Sequence, residues 1–95
     1  DFVQGTEETE FIIEAPRGQY ELLVVSGDAD SDSVTILETE NGSRFGGEVV
    51  KKGEYQCELI PIIHKKDVPL RLKISTKPGH QWKLNLMMMN VIKGY

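Results

Sequence analysis

The sequence has few of the residues from which catalytic and metal sites are usually built. Cys57 is its one cysteine in 95 residues, which excludes an intrachain disulfide and a metal site made of several cysteines. His64 and His80 fall in separate predicted loops, and neither has a nearby nucleophile that it could serve as a base. No pattern of paired carboxylates or of a nucleophile with its base is evident. We therefore predict that the protein is not an enzyme.

Excess positive charge and long apolar runs are lacking as well. The formal net charge is −4 at pH 7, whereas nucleic acids and anionic membranes bind to basic surfaces. We expect neither of them as a partner. No apolar run has the length of a membrane span, and no signal-peptide pattern is present.

The length of the sequence suits a single domain, residues 1–95. The sequence starts at Asp1 rather than at a methionine. We therefore expect a module that has been taken from a larger multimodular protein.

Short apolar strands separated by turn residues fill the chain, and no stretch has helical periodicity. Strands at 11–13 and 19–26 are hinged at residues 16–18, where Gly18 is expected to supply a positive φ. The second of these strands is apolar on both faces, which is typical of a central strand. The Asn-Gly pair at 41–42 predicts a hairpin turn. About seven to eight such strands predict an all-β fold, an antiparallel β-sandwich.

Alternation predicts which side chains of the later strands point into the core. The residues expected to point inward are Tyr55, Cys57 and Leu59, then Leu70, Leu72 and Ile74, and finally Trp82, Leu84 and Leu86. Cys57 is thus expected to be a small buried apolar residue. Pro61 cannot donate a ladder hydrogen bond, so its strand is expected at a sheet edge or with a bend.

Three aspartates at alternate positions form a candidate cation site. Asp28, Asp30 and Asp32 share one polar loop, and calcium takes several carboxylate oxygens at close spacing. The remaining positions do not follow the EF-hand pattern. Calcium is therefore a candidate cofactor, and the alternative is a solvated acidic turn without an ion.

Aromatic rings and methionines are the other candidates for contact with a ligand or a partner. The larger aromatic residues are Trp82, Tyr20, Tyr55, Phe45 and Tyr95. Such rings stack on the C–H faces of sugars, but they also pack in cores. The run from Met87 to Met89 is apolar on both faces of its strand. It fits a strand covered on both sides, core packing with one exposed methionine, or an interface to a neighbouring module.

A family resemblance runs through these same positions. A phenylalanine opens a strand before a proline–glycine turn, and a tyrosine-containing strand then ends in Gly-Asp. The residues concerned are Phe11, Pro16, Gly18, Tyr20, Gly27 and Asp28, followed by Leu70, Leu72, Trp82 and Leu84 in the two closing strands. In this pattern the chain resembles small jelly-roll modules with a galactose-binding-like fold. Those modules accompany bacterial polysaccharide-degrading enzymes, including rhamnogalacturonan acetylesterase-like and lyase-like proteins.

The resemblance implies a non-catalytic accessory module of a secreted bacterial carbohydrate-active enzyme. Such a module is extracellular or on the cell surface. It binds a plant or host polysaccharide, or it positions the adjacent catalytic domain. For sugar binding we single out Trp82 and His80 at one end, with Arg44 and Asn41 as hydrogen-bonding groups.

The alternative function is that of a purely structural β-sandwich module. It would use Met87 to Met89 as a docking surface for protein or interdomain contacts and would bind no glycan. The two hypotheses differ in what they require of Trp82. An exposed aromatic cluster beside polar loops supports sugar binding, whereas a buried Trp82 with an exposed methionine patch supports the structural module.

Overall fold

The computed structural model describes residues 3–94, and all of the regular secondary structure in this range is β-strand. The eight strands are β1 (Val3–Gly5), β2 (Thr9–Ile13), β3 (Gly18–Gly27), β4 (Ser33–Thr39), β5 (Arg44–Val50), β6 (Tyr55–His64), β7 (Leu70–Ser75) and β8 (Trp82–Gly94). Within residues 3–94 there is no helix of the length and apolarity needed to cross a membrane.

The strands form two four-stranded sheets in which every pair is antiparallel. Sheet I has the order β1-β8-β3-β6, and sheet II has the order β2-β7-β4-β5. Consecutive strands lie in different sheets except β4 and β5, which form a hairpin. This is the strand order of an eight-stranded jelly roll, so the predicted antiparallel β-sandwich is confirmed. The expected central position of β3 is also confirmed, because β3 lies between β8 and β6.

The inner faces of the two sheets enclose one hydrophobic core. Sheet I contributes Tyr20, Leu22, Val24, Ile60, Ile62, Trp82 and Leu84, and sheet II contributes Leu37, Leu70, Leu72 and Ile74. The predicted inward set of β7 is confirmed, since its three apolar side chains are buried while Arg71 and Lys73 are exposed. Burial of this apolar surface from both sheets is the main stabilising contribution to such a domain.

Two glycines of the predicted turns have different structural roles. Gly42 has φ +89°, and its N–H donates to the Thr39 carbonyl oxygen at 3.0 Å, so the predicted hairpin turn is confirmed. The expectation of a positive φ at Gly18 was wrong. Gly18 is the first residue of β3, and a Cβ atom there would lie 2.8 Å from the Lys93 carbonyl oxygen. Gly18 therefore permits the close approach of β8.

The predicted phase of β6 was wrong. Cys57 is exposed and Leu59 is 60 % exposed, while Ile60 and Ile62 are buried. The strand keeps one alternation along its length, and the apolar residues of its second half decide which side meets the core. The expected edge position of this proline-containing strand is confirmed, because β6 is the last strand of sheet I.

A β-bulge explains why the predicted inward phase holds only for the start of β8. Val25 pairs with Leu86, but the next residue, Ser26, pairs with Leu84. Asn85 is therefore an extra residue, and it reverses the alternation of the strand. The side chains of Trp82 and Leu84 are buried, as predicted, whereas Leu86 is 45 % exposed on the outer side of sheet I.

Candidate functional site

Trp82, the main candidate for stacking on a sugar, lies in the core. The side chain is 2 % exposed, and its indole N–H donates to the Glu7 carbonyl oxygen at 2.8 Å. Phe11 of β2 makes an edge-to-face contact with it, with ring centroids 6.4 Å apart. Trp82 thus links β8, the segment before β2 and sheet II. In this conformation neither face of the indole is open to a ligand.

The other predicted sugar ligands lie at opposite ends of the sandwich. Asn41 and Arg44 belong to the β4–β5 hairpin, which lies beside the start of β7. His80 lies in the turn that follows the end of β7, where its N–H donates to the Lys77 carbonyl oxygen. The Arg44 side chain pairs with Glu38 at 3.6 Å. The structure therefore does not bring these side chains together in one site.

The remaining aromatic candidates have three different environments. Tyr20 is buried, and its hydroxyl donates to the Pro16 carbonyl oxygen. Phe45 is half-buried against the core, and Tyr55 is 55 % exposed on β6. Tyr95 lies outside the described residues. Tyr55 is therefore the one exposed tyrosine among residues 5–94.

The aspartate loop is held together by hydrogen bonds to the protein itself. Asp28 is buried, and its carboxylate accepts from the Asp30 N–H at 2.9 Å and from the Ser31 hydroxyl at 3.0 Å. The ammonium of Lys83, also buried, lies 3.0 Å from the same carboxylate. The Asp30 N–H first, and then the Lys83 ammonium, lower the pKa of Asp28 below its usual value.

The third aspartate of the loop faces another partner. Asp32 accepts a hydrogen bond from the backbone N–H of Lys52 at 2.7 Å, which ties the loop to the turn before β6. Throughout residues 3–94, no three His, Cys, Asp or Glu side chains are grouped so that they could hold a metal ion. The polar groups of this loop act on one another, and together they fasten the β3–β4 connection to β8.

Sequence reasoning missed two buried polar side chains. Alternation with the inward-pointing Trp82 and Leu84 predicts that Lys83 faces outward, but Lys83 is 7 % exposed and pairs with the distant Asp28. His64 is fully buried, with Nδ1 3.0 Å from Glu40 and Nε2 2.7 Å from the Val68 carbonyl oxygen. A neutral imidazole has one N–H and can donate to only one of these acceptors, whereas an imidazolium donates to both. His64 thereby anchors the β6–β7 loop on the β4–β5 hairpin.

The outer face of sheet II is polar and carries charges of both signs. One cross-strand row runs from Glu10 through Lys73 and Glu38 to Arg44, so that the charges alternate across all four strands. Glu10 also pairs with the neighbouring Arg71. Opposite charges on adjacent strands stabilise a solvated sheet face. Ile12, on the edge strand β2, is an exposed apolar side chain on this face.

The middle of the outer face of sheet I is apolar, and the next cross-strand row contains Glu21 between Asn90 and Pro61. Two neighbouring cross-strand rows over β8, β3 and β6 consist of Leu86, Val25 and Cys57, and of Met88, Leu23 and Leu59. We call these six residues the apolar face. Leu59 is 60 % exposed, and Leu86 and Met88 are each 45 % exposed.

The methionine run contributes to both the core and the apolar face. Met87 and Met89 are half-buried against the core, and Met88 is on the outer side. Of the three interpretations of this run, core packing with one exposed methionine is the arrangement that the structure has. Because Met88 belongs to the apolar face, an interface to a neighbouring module is compatible with it.

Comparison with known proteins identified no relative, so the function has to be inferred from this geometry. No protein-family model, no curated protein and no solved structure matches the chain. The resemblance to galactose-binding-like accessory modules therefore stays a prediction.

Proposed function

We propose that this chain is a structural β-sandwich module that contacts a neighbouring domain or protein through the apolar face. The observation that carries the proposal is the contrast between the two outer faces. Sheet II carries a row of alternating charges across its four strands, with Ile12 exposed on its edge strand, whereas sheet I presents the adjacent side chains of Leu59, Leu86 and Met88 to solvent. A soluble protein seldom exposes a contiguous apolar patch unless a partner covers it.

Burial of these exposed side chains supplies part of the free energy of such a contact. Full burial of a leucine or methionine stabilises by about 1.5–3 kcal/mol, so covering these half-exposed side chains contributes roughly 1 kcal/mol each. Leu23, Val25 and Cys57 form the middle and far edge of the same surface. The partner is expected to present apolar side chains, because the apolar face offers no charged group for it to pair with.

The position of Trp82 favours this function over glycan binding. A stacking platform needs an open ring face, and the indole of Trp82 is enclosed by the core. The polar groups chosen for sugar binding are distributed over two ends of the sandwich. A glycan-binding function would have to use a different ring, of which Tyr55 is the exposed example.

The test compares two aliphatic side chains of similar exposure, one on the outer face of each sheet. Leu59 on sheet I is 60 % exposed, and Ile12 on sheet II is 56 % exposed. Leu59→Lys and Ile12→Lys are introduced separately into the full protein in the cells that produce it. Each form is isolated under native conditions through an affinity tag, and the proteins that accompany it are quantified by mass spectrometry.

We expect a defined partner to accompany the wild type and Ile12→Lys and to be lost at least tenfold with Leu59→Lys. Identical sets of proteins from all three forms would overturn the proposal. A parallel screen measures binding to pectic, xylan and host-type glycans by calorimetry. Saturable glycan binding that Leu59→Lys leaves unchanged would replace the structural function with the carbohydrate-binding one.

A further inference from the structure

We propose that a groove at the border of the apolar face binds an arginine side chain of the neighbouring domain or protein that covers this face. The groove surrounds Glu21, and the carboxylate of Glu21 pairs with the guanidinium. This inference rests on the proposed function, because it names a charged group that the partner carries beside its apolar side chains.

The groove is formed on the outer side of sheet I by side chains of β3, β6 and β8. Its volume is about 410 Å³. The exposed and half-buried residues that line it are Gln19, Glu21, Leu59, Pro61, Ile63 and Ile92. Pockets for small ligands have volumes of roughly 300–1,000 Å³. The groove therefore suits a single side chain rather than a whole strand or helix.

The position of Glu21 in the ladders fixes the direction of its side chain. Glu21 pairs with Pro61 on one side and with Asn90 on the other. Leu23, two residues further along β3, belongs to the apolar face, and alternate residues of a strand point to the same side. Glu21 therefore points outward. Within residues 3–94 it is the one carboxylate that β3, β6 and β8 carry on this side.

The carboxylate of Glu21 has no hydrogen-bond or ion-pair partner among the described residues. Lys93 lies in the next cross-strand row, opposite Gln19, and forms no ion pair with Glu21. On sheet II, by contrast, Glu10 and Glu38 each pair with an arginine. Glu21 is half-buried, and further loss of water on covering the face is costly for a carboxylate without a partner. A partner that covers this row is therefore expected to bring a cation.

Arginine matches both the walls and the charge of the groove. Its aliphatic stem packs on apolar walls such as Leu59 and Ile63 while its charged end reaches the carboxylate. The planar guanidinium donates two parallel hydrogen bonds to a carboxylate, and it is more weakly hydrated than an ammonium. Arginine is also enriched at protein interfaces, where lysine is depleted. These properties favour arginine over lysine as the occupant.

The first measurement titrates the isotope-labelled protein with N-acetyl-arginine methylamide and follows the methyl groups by NMR. N-acetyl-citrulline methylamide is the matched probe, because its side chain has nearly the same shape and no charge. We expect saturable shifts at Leu59 and Ile63 with the arginine probe, and these shifts should shrink as salt is added. The citrulline probe is expected to bind more weakly by about tenfold or more.

Two glutamine variants locate the charge that the probe recognises. Glu21→Gln removes the carboxylate and keeps the shape of the side chain. Glu38→Gln is the matched control, since Glu38 is also half-buried but lies on sheet II, where it pairs with Arg44. We expect binding of the arginine probe to weaken by about tenfold or more in Glu21→Gln and to stay unchanged in Glu38→Gln. Thermal unfolding shows that Glu21→Gln is folded, because this substitution breaks no contact among the described residues.

Equal binding of the two probes, equal binding to the wild type and Glu21→Gln, or no saturable shift with the arginine probe would each overturn the proposal. Lys93→Gln tests whether the chain fills the groove with its own lysine. Unchanged binding to this variant supports the proposal. Binding that is about tenfold tighter would overturn it, because Lys93 would then be the cation that pairs with Glu21.

The last measurement separates failure of this inference from failure of the proposed function. The partner that Leu59→Lys loses is purified, and its affinity for the wild type and for Glu21→Gln is measured by calorimetry. Weaker binding to Glu21→Gln supports the arginine contact. Unchanged binding to Glu21→Gln would overturn this contact and leave the proposed function in place. If Leu59→Lys loses no partner, the proposed function is wrong, and the probe titration alone decides whether the groove takes a guanidinium.

Discussion

Replacement of Trp82 by phenylalanine tests whether this side chain has a structural role or a ligand-binding role. Trp82 is buried, and its indole N–H donates to the Glu7 carbonyl oxygen. Its six-membered ring also packs against β1, since a Cβ atom at Gly5 would come within 2.9 Å of it. Phenylalanine keeps an aromatic ring beside Phe11 but loses the N–H donor and the volume of the second ring. We therefore expect a loss of stability without a change in ligand binding.

The expected loss is the sum of two contributions. The phenylalanine side chain is smaller by roughly 40 Å³, which at about 24 cal/mol per Å³ of cavity costs about 1 kcal/mol. The lost hydrogen bond costs about 1 kcal/mol more. A total of about 2 kcal/mol lowers the Tm of a domain of this size by roughly 8–16 °C.

The assay is urea and thermal unfolding followed by circular dichroism, because the variant has no tryptophan to report fluorescence. Tyr55→Phe is the matched control, since it changes an exposed aromatic residue and is expected to alter stability by less than about 0.5 kcal/mol. A Trp82→Phe variant as stable as the wild type would refute the packing described here. A variant of normal stability that also loses glycan binding would restore Trp82 as a ligand residue.

Two further predictions concern the aspartate loop and the end of β3. The pKa of Asp28 is lowered in the folded protein by the Asp30 N–H and Lys83, so the unfolded chain binds more protons in the acid range. Its stabilising contribution is present above the ordinary aspartate pKa of 3.8 and is lost as the pH falls below it. Thermal unfolding from pH 6 to pH 2 should show a weaker acid dependence in Asp28→Asn than in the wild type, and parallel curves would contradict this. Gly27 has φ +136°, and a Cβ atom there would collide with backbone of the chain before β6. Gly27→Ala should therefore destabilise by more than about 2 kcal/mol in urea unfolding, whereas Gly53→Ala, with φ +82° and open space, should cost about 1 kcal/mol; equal losses would argue against a steric cause.

The parts of the fold that the sequence predicted correctly are those with local causes. The Asn-Gly pair produces the β4–β5 hairpin through the positive φ of Gly42. Strict alternation sets the phase of β7, where Leu70 and Leu72 are buried. Pro61 places β6 at an edge. Each of these outcomes depends on a few adjacent residues, and a single sequence contains that information.

The errors have non-local causes. The extra residue at Asn85 reverses the phase of β8, and it is visible only in the pairing with β3. Lys83 is buried because Asp28, which is 55 positions earlier, supplies its counter-charge. Trp82 was singled out as a ligand residue although alternation placed it inward. Which of the two faces of β3 is covered also depends on the position of sheet II, so the apolar face could not be located from sequence.

The strand order has a consequence for how the chain reaches its native state. Within residues 3–94, the β4–β5 hairpin is the only pairing between strands that are neighbours in sequence. All the other ladders join distant segments, and the most extreme of them brings β1 to β8, from opposite ends of the chain. Chain entropy must be lost before such contacts are gained, so the relative contact order is high and folding is expected in milliseconds to seconds rather than microseconds. During that interval the uncharged stretch of β8 from Leu86 to Val91 is without its partner strand β3, and folding yield should therefore fall as protein concentration rises.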